Sequence, residues 1–229
     1  MEINPLTQES IDYVKTNKQL FVDAVCQDAT SSDNPIAVFM AGTPGAGKTE
    51  VAKSIMEFFE TAPCRIDADD FRGLIPGYNG KNSDTVQPAA ALAVDKVLDV
   101  VLTKKFSFIL DGTFAINKSI MNIKRALRKG FEVHIYFIYQ DPVEAWEFTK
   151  IRERAEGRSV PISVFVDAYY NSRLNVSKVK SEFGNDILLQ VITKSYNEDK
   201  ETVHSDVLDL DKVLPKLYNK DELIRKLNG

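Results

Sequence analysis

Residues 42–49 read Gly-Thr-Pro-Gly-Ala-Gly-Lys-Thr, directly after the apolar run 35–41. The spacing matches G-x-x-x-x-G-K-[ST], in which consecutive backbone N–H groups turn inward and cradle a chain of phosphates. Gly42, Gly45 and Gly47 would allow close approach, with Thr43, Pro44 and Ala46 completing the loop. Lys48 would neutralise the β- and γ-phosphates, and Thr49 would offer its hydroxyl to Mg2+. ATP is the nucleotide expected. A GTP-reading protein also needs Asn-Lys-x-Asp, and neither Asn117-Lys118 nor Asn219-Lys220 is followed by the aspartate at the required place.

A motor-type ATPase usually follows its strand-end aspartate with a glutamate that orients water, whereas Asp111 is followed by Gly112. Transfer to an acceptor hydroxyl is the remaining chemistry, and it needs a carboxylate to take the proton. The Asp67-Ala-Asp69-Asp70 stretch supplies one at a strand end, although an aspartate there also suits a helix cap. Residue types alone leave the choice among Asp67, Asp69 and Asp70 open. Arg152, Arg154 and Arg158 cluster between two expected helices, where a lid near 150–162 would bring positive charge to the moving phosphoryl group. Asp111-Gly112-Thr113 ends a central strand, so Asp111 could hold Mg2+-bound water or the acceptor, and the glycine permits close approach. His134, His204 and Trp146 read as incidental to the chemistry.

The elements that must position these groups alternate. An amphipathic helix is expected within 7–27, from Ile11, Val14, Phe21 and Val25 on one face. A strand over 36–41 leads into the loop, and Val51, Ile55, Phe58 and Phe59 would form the inner face of the helix leaving it. A strand ending at Asp67, a helix starting around 69–71 and a long helix from Ser83 follow, the last with Pro88 in its first turn. Then come a strand ending at Asp111, a helix over 117–129, a strand over 131–139, and helices over 142–155 and 161–180. A final strand over 186–193 and one or two short helices after the polar stretch 197–202 complete the chain. Repeated strand-then-helix order predicts an α/β fold of three layers, α/β/α, around a mainly parallel sheet. Residues 1–34 read as an N-terminal helical extension and 35–229 as one catalytic domain.

Composition narrows the partners. In 229 residues, 44% hydrophobic and 27% charged residues suit one ordinary globular domain. A net charge of -4 argues against a sequence-independent grip on duplex nucleic acid, which relies on many Lys and Arg. No apolar stretch reaches a membrane span and no basic-then-apolar leader opens the chain, so a cytoplasmic protein without membrane contact is expected. Cys26 and Cys64 lack metal-ligand or CxxC spacing and read as two reduced thiols, with neither a disulfide nor a zinc site.

Together these segments resemble the zeta toxin family of P-loop kinases over roughly residues 36–195. The carriers are 42–49; 66–78, similar to I-D-x-D-x-F-[KR]-x-x-H-P-x-[YF]; 109–113, similar to I-E-G-T; and 157–161, similar to A-R-A-T-P. The resemblance implies phosphorylation of a sugar hydroxyl of UDP-N-acetylglucosamine, with toxicity through loss of cell-wall precursors and restraint by a small helical antitoxin. Carried over, Asp69 is the general base, Lys48 the phosphate lysine, Arg158 one lid arginine and Arg154 or Arg152 the other. Arg72 would sit beside the substrate or its phosphates, with Asp67, Asp111, Thr113 and Arg152 as further substrate contacts. Asp111 stands in place of the family's glutamate, Ile75 where a histidine is usual, and the lid segment is shorter. A second resemblance, of 69–72 and 160–170, is to phage-type polynucleotide 5′-kinases, which would make single-stranded nucleic acid the acceptor. A third reading is a regulator that binds ATP without transfer and acts through its N-terminal helix.

Overall fold

The computed structural model describes residues 4–195 and 200–229. The first three residues of the expected extension and Asn197, Glu198 and Asp199 of the expected polar stretch lie outside the described residues. The elements run α1 (Pro5–Thr16), α2 (Lys18–Cys26), β1 (Ile36–Ala41), α3 (Lys48–Met56), β2 (Cys64–Asp67), α4 (Ala68–Gly73), α5 (Ser83–Lys104) and β3 (Phe108–Asp111). They continue with α6 (Asn117–Arg128), β4 (Glu132–Gln140), α7 (Pro142–Glu156), α8 (Ile162–Phe183), β5 (Ile187–Ser195), β6 (Lys200–His204) and α9 (Lys220–Leu227).

The strands form one sheet in the order β2-β3-β1-β4-β5-β6. Its first five strands are parallel, and β6 pairs antiparallel with β5. Parallel neighbours need crossovers, and these are the helices, so the α/β fold with a mainly parallel sheet is the one the alternation predicted. The geometry brings the carboxyl ends of β1, β2, β3, β4 and β5 to one edge, where ligands bind in open sheets of this kind.

The two sheet faces carry unequal cores. Phe39, Ile66, Phe108, Ile135 and Val191 pack with α1, α2, α5, α6 and α8 in the larger cluster. Val38, Met40, Ile109, Ile138 and Ile192 pack under α3 in a smaller one. A third cluster joins α7, α8 and α9 through Trp146, Phe165, Tyr169 and Leu223.

Several expectations are corrected. The first helix is two, because Asn17 closes α1 with both its backbone N–H and its side-chain Nδ2 on the Tyr13 carbonyl, each at 2.9 Å. Val14 and Phe21 are nevertheless fully buried in the main core, and Phe21 packs edge-on against Phe71 of α4 with ring centroids 5.6 Å apart. Helix α3 ends at Met56, so Phe58 is not on its inner face and is 86% exposed. Pro88 lies inside α5, beyond its first turn. Strand β6 escaped notice because a charged edge strand, as edges tend to be, offers almost no apolar alternation; its Val203 is exposed.

The cysteines are also corrected. Cys26 at the end of α2 and Cys64 at the start of β2 form a disulfide, with Cα atoms 4.8 Å apart. Spacing along the chain carried no sign of it, because α2 meets β2 only through tertiary packing. The bridge encloses β1, the phosphate loop and α3.

Candidate active site

Strand β1 delivers the chain to Gly42, and the loop that follows is shaped by backbone packing. At Gly42, with φ +128°, a Cβ would stand 2.2 Å from the Ile138 carbonyl oxygen on β4. At Gly45, with φ +77°, it would stand 2.1 Å from the Ala145 oxygen on α7. These two glycines are therefore demanded by neighbouring backbone as much as by any ligand. Gly42 N donates to the Thr113 carbonyl at 3.2 Å, tying the loop to the end of β3. Pro44, Ala46 and Gly47, the last also at positive φ, carry the chain into α3, whose first turn holds Lys48 and half-buried Thr49. The N-terminus of α3 thus opens on the loop, and its orphan amides favour an anion there. Lys48 is buried and donates from Nζ to the Thr43 carbonyl at 2.5 Å. Burial pushes its ammonium down to about 8, while Asp111 and Asp67 oppose that shift and Arg152 adds to it.

The ends of β2 and β3 carry the acids. Asp67 and Asp111 are register partners on adjacent parallel strands. Asp67 caps α4, its Oδ1 accepting from Asp69 N at 2.8 Å. Burial first, and then Asp111, push the Asp67 carboxyl up to about 7, against the pull of Arg65. Arg65 ties the group together, donating from Nη2 to Asp67 at 2.5 Å and to Asp111 at 2.8 Å, and from Nη1 to Asp70 at 2.5 Å. Sequence reading passed over Arg65. Its signal was an arginine inside a short apolar strand, two residues before Asp67 and therefore on the same face.

Asp69 lies in the first turn of α4 and is held by arginines. Arg72 pairs with its Oδ1, Arg158 with its Oδ2, and Arg152 Nη1 stands 3.9 Å from the same Oδ2. Arg72 also donates to Gln87 of α5, a second partner that sequence reading did not find, since nothing in the pattern placed α5 over α4. The Arg72 Nε is buried and has no partner among the described residues. Arg158 follows Gly157, the left-handed cap of α7, so the stretch between α7 and α8 delivers its guanidinium to the acids. Arg152 reaches the site from the last turns of α7. Arg154 does not: it is exposed and takes no part in these pairs, so of the two alternatives it is Arg152 that faces Asp69.

After β3, Thr113 contributes its carbonyl to Gly42 and its hydroxyl as acceptor for Ala115 N at 3.4 Å. The next residue, Phe114, is a buried non-glycine at φ +60°, held there by Asn175 Nδ2 donating to its carbonyl at 3.1 Å. Strain of this kind persists where the surroundings over-determine the backbone, here on the turn that follows Asp111. Ile75, at the position where the resemblance expects a histidine, is 2% exposed in the main core.

The site therefore joins a phosphate-binding turn to a carboxylate cluster bridged by arginines. The sequence also matches known proteins. Toxin PezT of Streptococcus pneumoniae serotype 4 is 28% identical over 130 residues, 53% of this chain, and the chain spans about half (51%) of that relative's length. The solved PezAT chromosomal toxin-antitoxin system of Streptococcus pneumoniae shares the fold, with TM-score 0.67 and 18% identity over 100% of this chain and 96% of that one. The AvrRxo1-ORF1:-ORF2 complex with ATP does so at TM-score 0.64 and 15% identity, over 98% of this chain and 71% of that one. The family model described as zeta toxin matches residues 22–207, and with most of its length inside that match the chain belongs to the zeta toxin family.

Proposed function

We propose that the chain is an ATP-dependent kinase that transfers the γ-phosphate to a sugar hydroxyl of a nucleotide sugar such as UDP-N-acetylglucosamine. The observation that carries the reading is Asp69, a carboxylate at a strand-to-helix turn that Arg158 and Arg152 reach from the lid stretch. The ATP-bound relative of the same fold supports the choice of nucleotide.

In this reading the loop amides and Lys48 hold the β- and γ-phosphates. Burial lowers the Lys48 ammonium to about 8, and an arriving polyanion raises it again, securing the charge the lysine already carries at neutral pH. Arg158 and Arg152 exchange the Asp69 carboxylate for the γ-phosphoryl oxygens, where they spread positive charge over the transferring group. Asp69, released from that pair and still oriented by Arg72, accepts the proton as the acceptor oxygen bonds to phosphorus and the bond to the ADP leaving group breaks. Arg72, Asp67, Asp111 and Thr113 would border the acceptor.

Among the described residues no three His, Cys, Asp or Glu gather into a metal cage. The oxygen donors of Thr49 and Asp111 still suit a hard cation that brings most of its shell as water and nucleotide phosphate. They are the residues that would hold Mg2+, which when bound neutralises charge developing between the β- and γ-phosphates. The solved PezAT system supports a protein antitoxin as partner.

A polynucleotide 5′-kinase is the second reading, favoured by the sequence of 69–72 and 160–170. Against it, Tyr169 is 4% exposed and so is closed as a stacking platform, and the Tyr170 hydroxyl is engaged, donating to the Tyr218 carbonyl at 2.7 Å. Incubation with ATP and Mg2+ against UDP-sugars and against 5′-hydroxyl oligonucleotides, with products read by mass spectrometry, decides between them. A phosphomonoester on a UDP-sugar is expected. One on the oligonucleotide alone reverses the order, and none on either favours the ATP-binding regulator. Asp69→Asn should keep ATP affinity and lose about 10²–10⁴-fold in transfer, the range of general-base catalysis; unchanged transfer removes Asp69 from the role.

A further inference from the structure

Lys194 lies at the carboxyl end of β5, beside Gln140 of β4 in the parallel register. Its ammonium is 3.3 Å from the point where a Cβ on Gly47 would stand, and the Glu50 carboxylate is 3.5 Å from that same point. Its ion-pair partner is Glu201 on β6, at 3.5 Å. A simple cross-strand pair would carry both side chains outward together. Instead the Lys194 side chain is 15% exposed and that of Glu201 52%. The lysine lies back over Gly47, where the chain turns into α3, and Glu201 is the carboxylate that pairs with it. Lys48 donates at the other end of the same loop, to Thr43.

We propose that Lys194 is a second phosphate-binding lysine, which leaves Glu201 to contact the α-end of the nucleotide's phosphate chain, away from the end served by Lys48. The proposal rests on the ATP reading above. A long, flexible ammonium suits the role, because it can switch between Glu201 and a phosphate without moving the backbone. A Cβ at position 47 would press on it at 3.3 Å, and the φ of +83° there already favours glycine.

Binding of ATP and ADP to the full chain, measured by titration calorimetry, tests this with Lys194→Ala, Lys194→Arg, Glu201→Gln and Lys48→Ala. Lys194→Ala should weaken ATP and ADP alike by about tenfold, the loss of one charge-assisted contact, with the kinetic effect on KM for ATP rather than kcat. Lys194→Arg should recover most of it. Glu201→Gln should bind ATP as well as or better than the parent, since it releases the lysine; if Lys194 served only the β5–β6 pair, both variants would lower Tm and leave Kd unchanged. An unchanged Kd in Lys194→Ala beside a lost one in Lys48→Ala overturns this proposal alone. A loss for ATP but not ADP overturns the placement at the α-end. Unchanged ATP binding in Lys48→Ala overturns the nucleotide reading beneath it.

Discussion

Around residues 42–49 the chain is held by main-chain packing, with Gly42 and Gly45 set against the carbonyls of Ile138 and Ala145 and the disulfide closing the segment from 26 to 64. Around residues 65–72 it is held by ion pairs, with Arg65 on three carboxylates and Asp69 on three arginines. Backbone packing against backbone is stiff and independent of pH and salt, so the phosphate half of the site is formed before any ligand comes. Ion pairs exchange partners. In the proposed reaction the acid half would pass its arginines to an incoming phosphoryl group without unfolding anything, and the contrast would give nucleotide capture to one half and rearrangement to the other.

The comparison can be broken by cutting each half's fastening. Reducing the disulfide, or Cys26→Ala, should cost about 4 kcal/mol on the chain-entropy account of a loop with separation 38. Denaturant titration would read this, and a stability unaffected by reduction would leave the phosphate half to glycine packing alone. Arg65→Ala should cost about 3 kcal/mol, because it leaves Asp67 and Asp111 buried side by side without their shared cation. That loss should grow with pH, whereas the loss from opening the disulfide should not.

A smaller effect sharpens the same point at Asp67. Its carboxyl is raised from 3.8 to about 7, so between those values the folded chain binds more protons than the unfolded one, and the stability contributed by Asp67 falls as pH rises. Asp67→Asn keeps an acceptor for Asp69 N and removes the ionisation. Its stability relative to the parent should rise by about 1 kcal/mol or more between pH 4 and pH 7.5, and a flat difference would place the raised group elsewhere. The smallest effect is at Lys48. Its pKa is depressed to about 8 by burial, so ATP binding at pH 8.5 should take up a fraction of a proton, and less at pH 7, where the lysine is already charged. Calorimetry in buffers of different ionisation enthalpy reads it, and equal proton uptake at the two pH values would place the depressed group elsewhere.

How much was legible in advance differs between the halves in the same way. The loop could be read letter by letter, because its glycines, lysine and threonine stand at fixed offsets along the chain, although the carbonyls that crowd Gly42 and Gly45 come from β4 and α7. The acid half was legible only in part. Asp67, Asp69, Arg72 and Arg158 were singled out because strand ends and resemblance marked them, while which of Arg152 and Arg154 stands beside Asp69 depends on how α7 is rotated ahead of the stretch leading to α8. Arg65 and Gln87 were missed because each acts across elements, from β2 to β3 and from α5 to α4.

By itself the sequence determined the alternation of strand and helix, the parallel sheet and the phosphate turn, since periodicity, caps and glycine spacing are short-range constraints. Tertiary structure alone decided which arginine meets Asp69, that Cys26 and Cys64 are joined, and that Lys194 lies over Gly47. Those contacts link residues distant along the chain, and only the packing of helices on the sheet brings them within bonding distance.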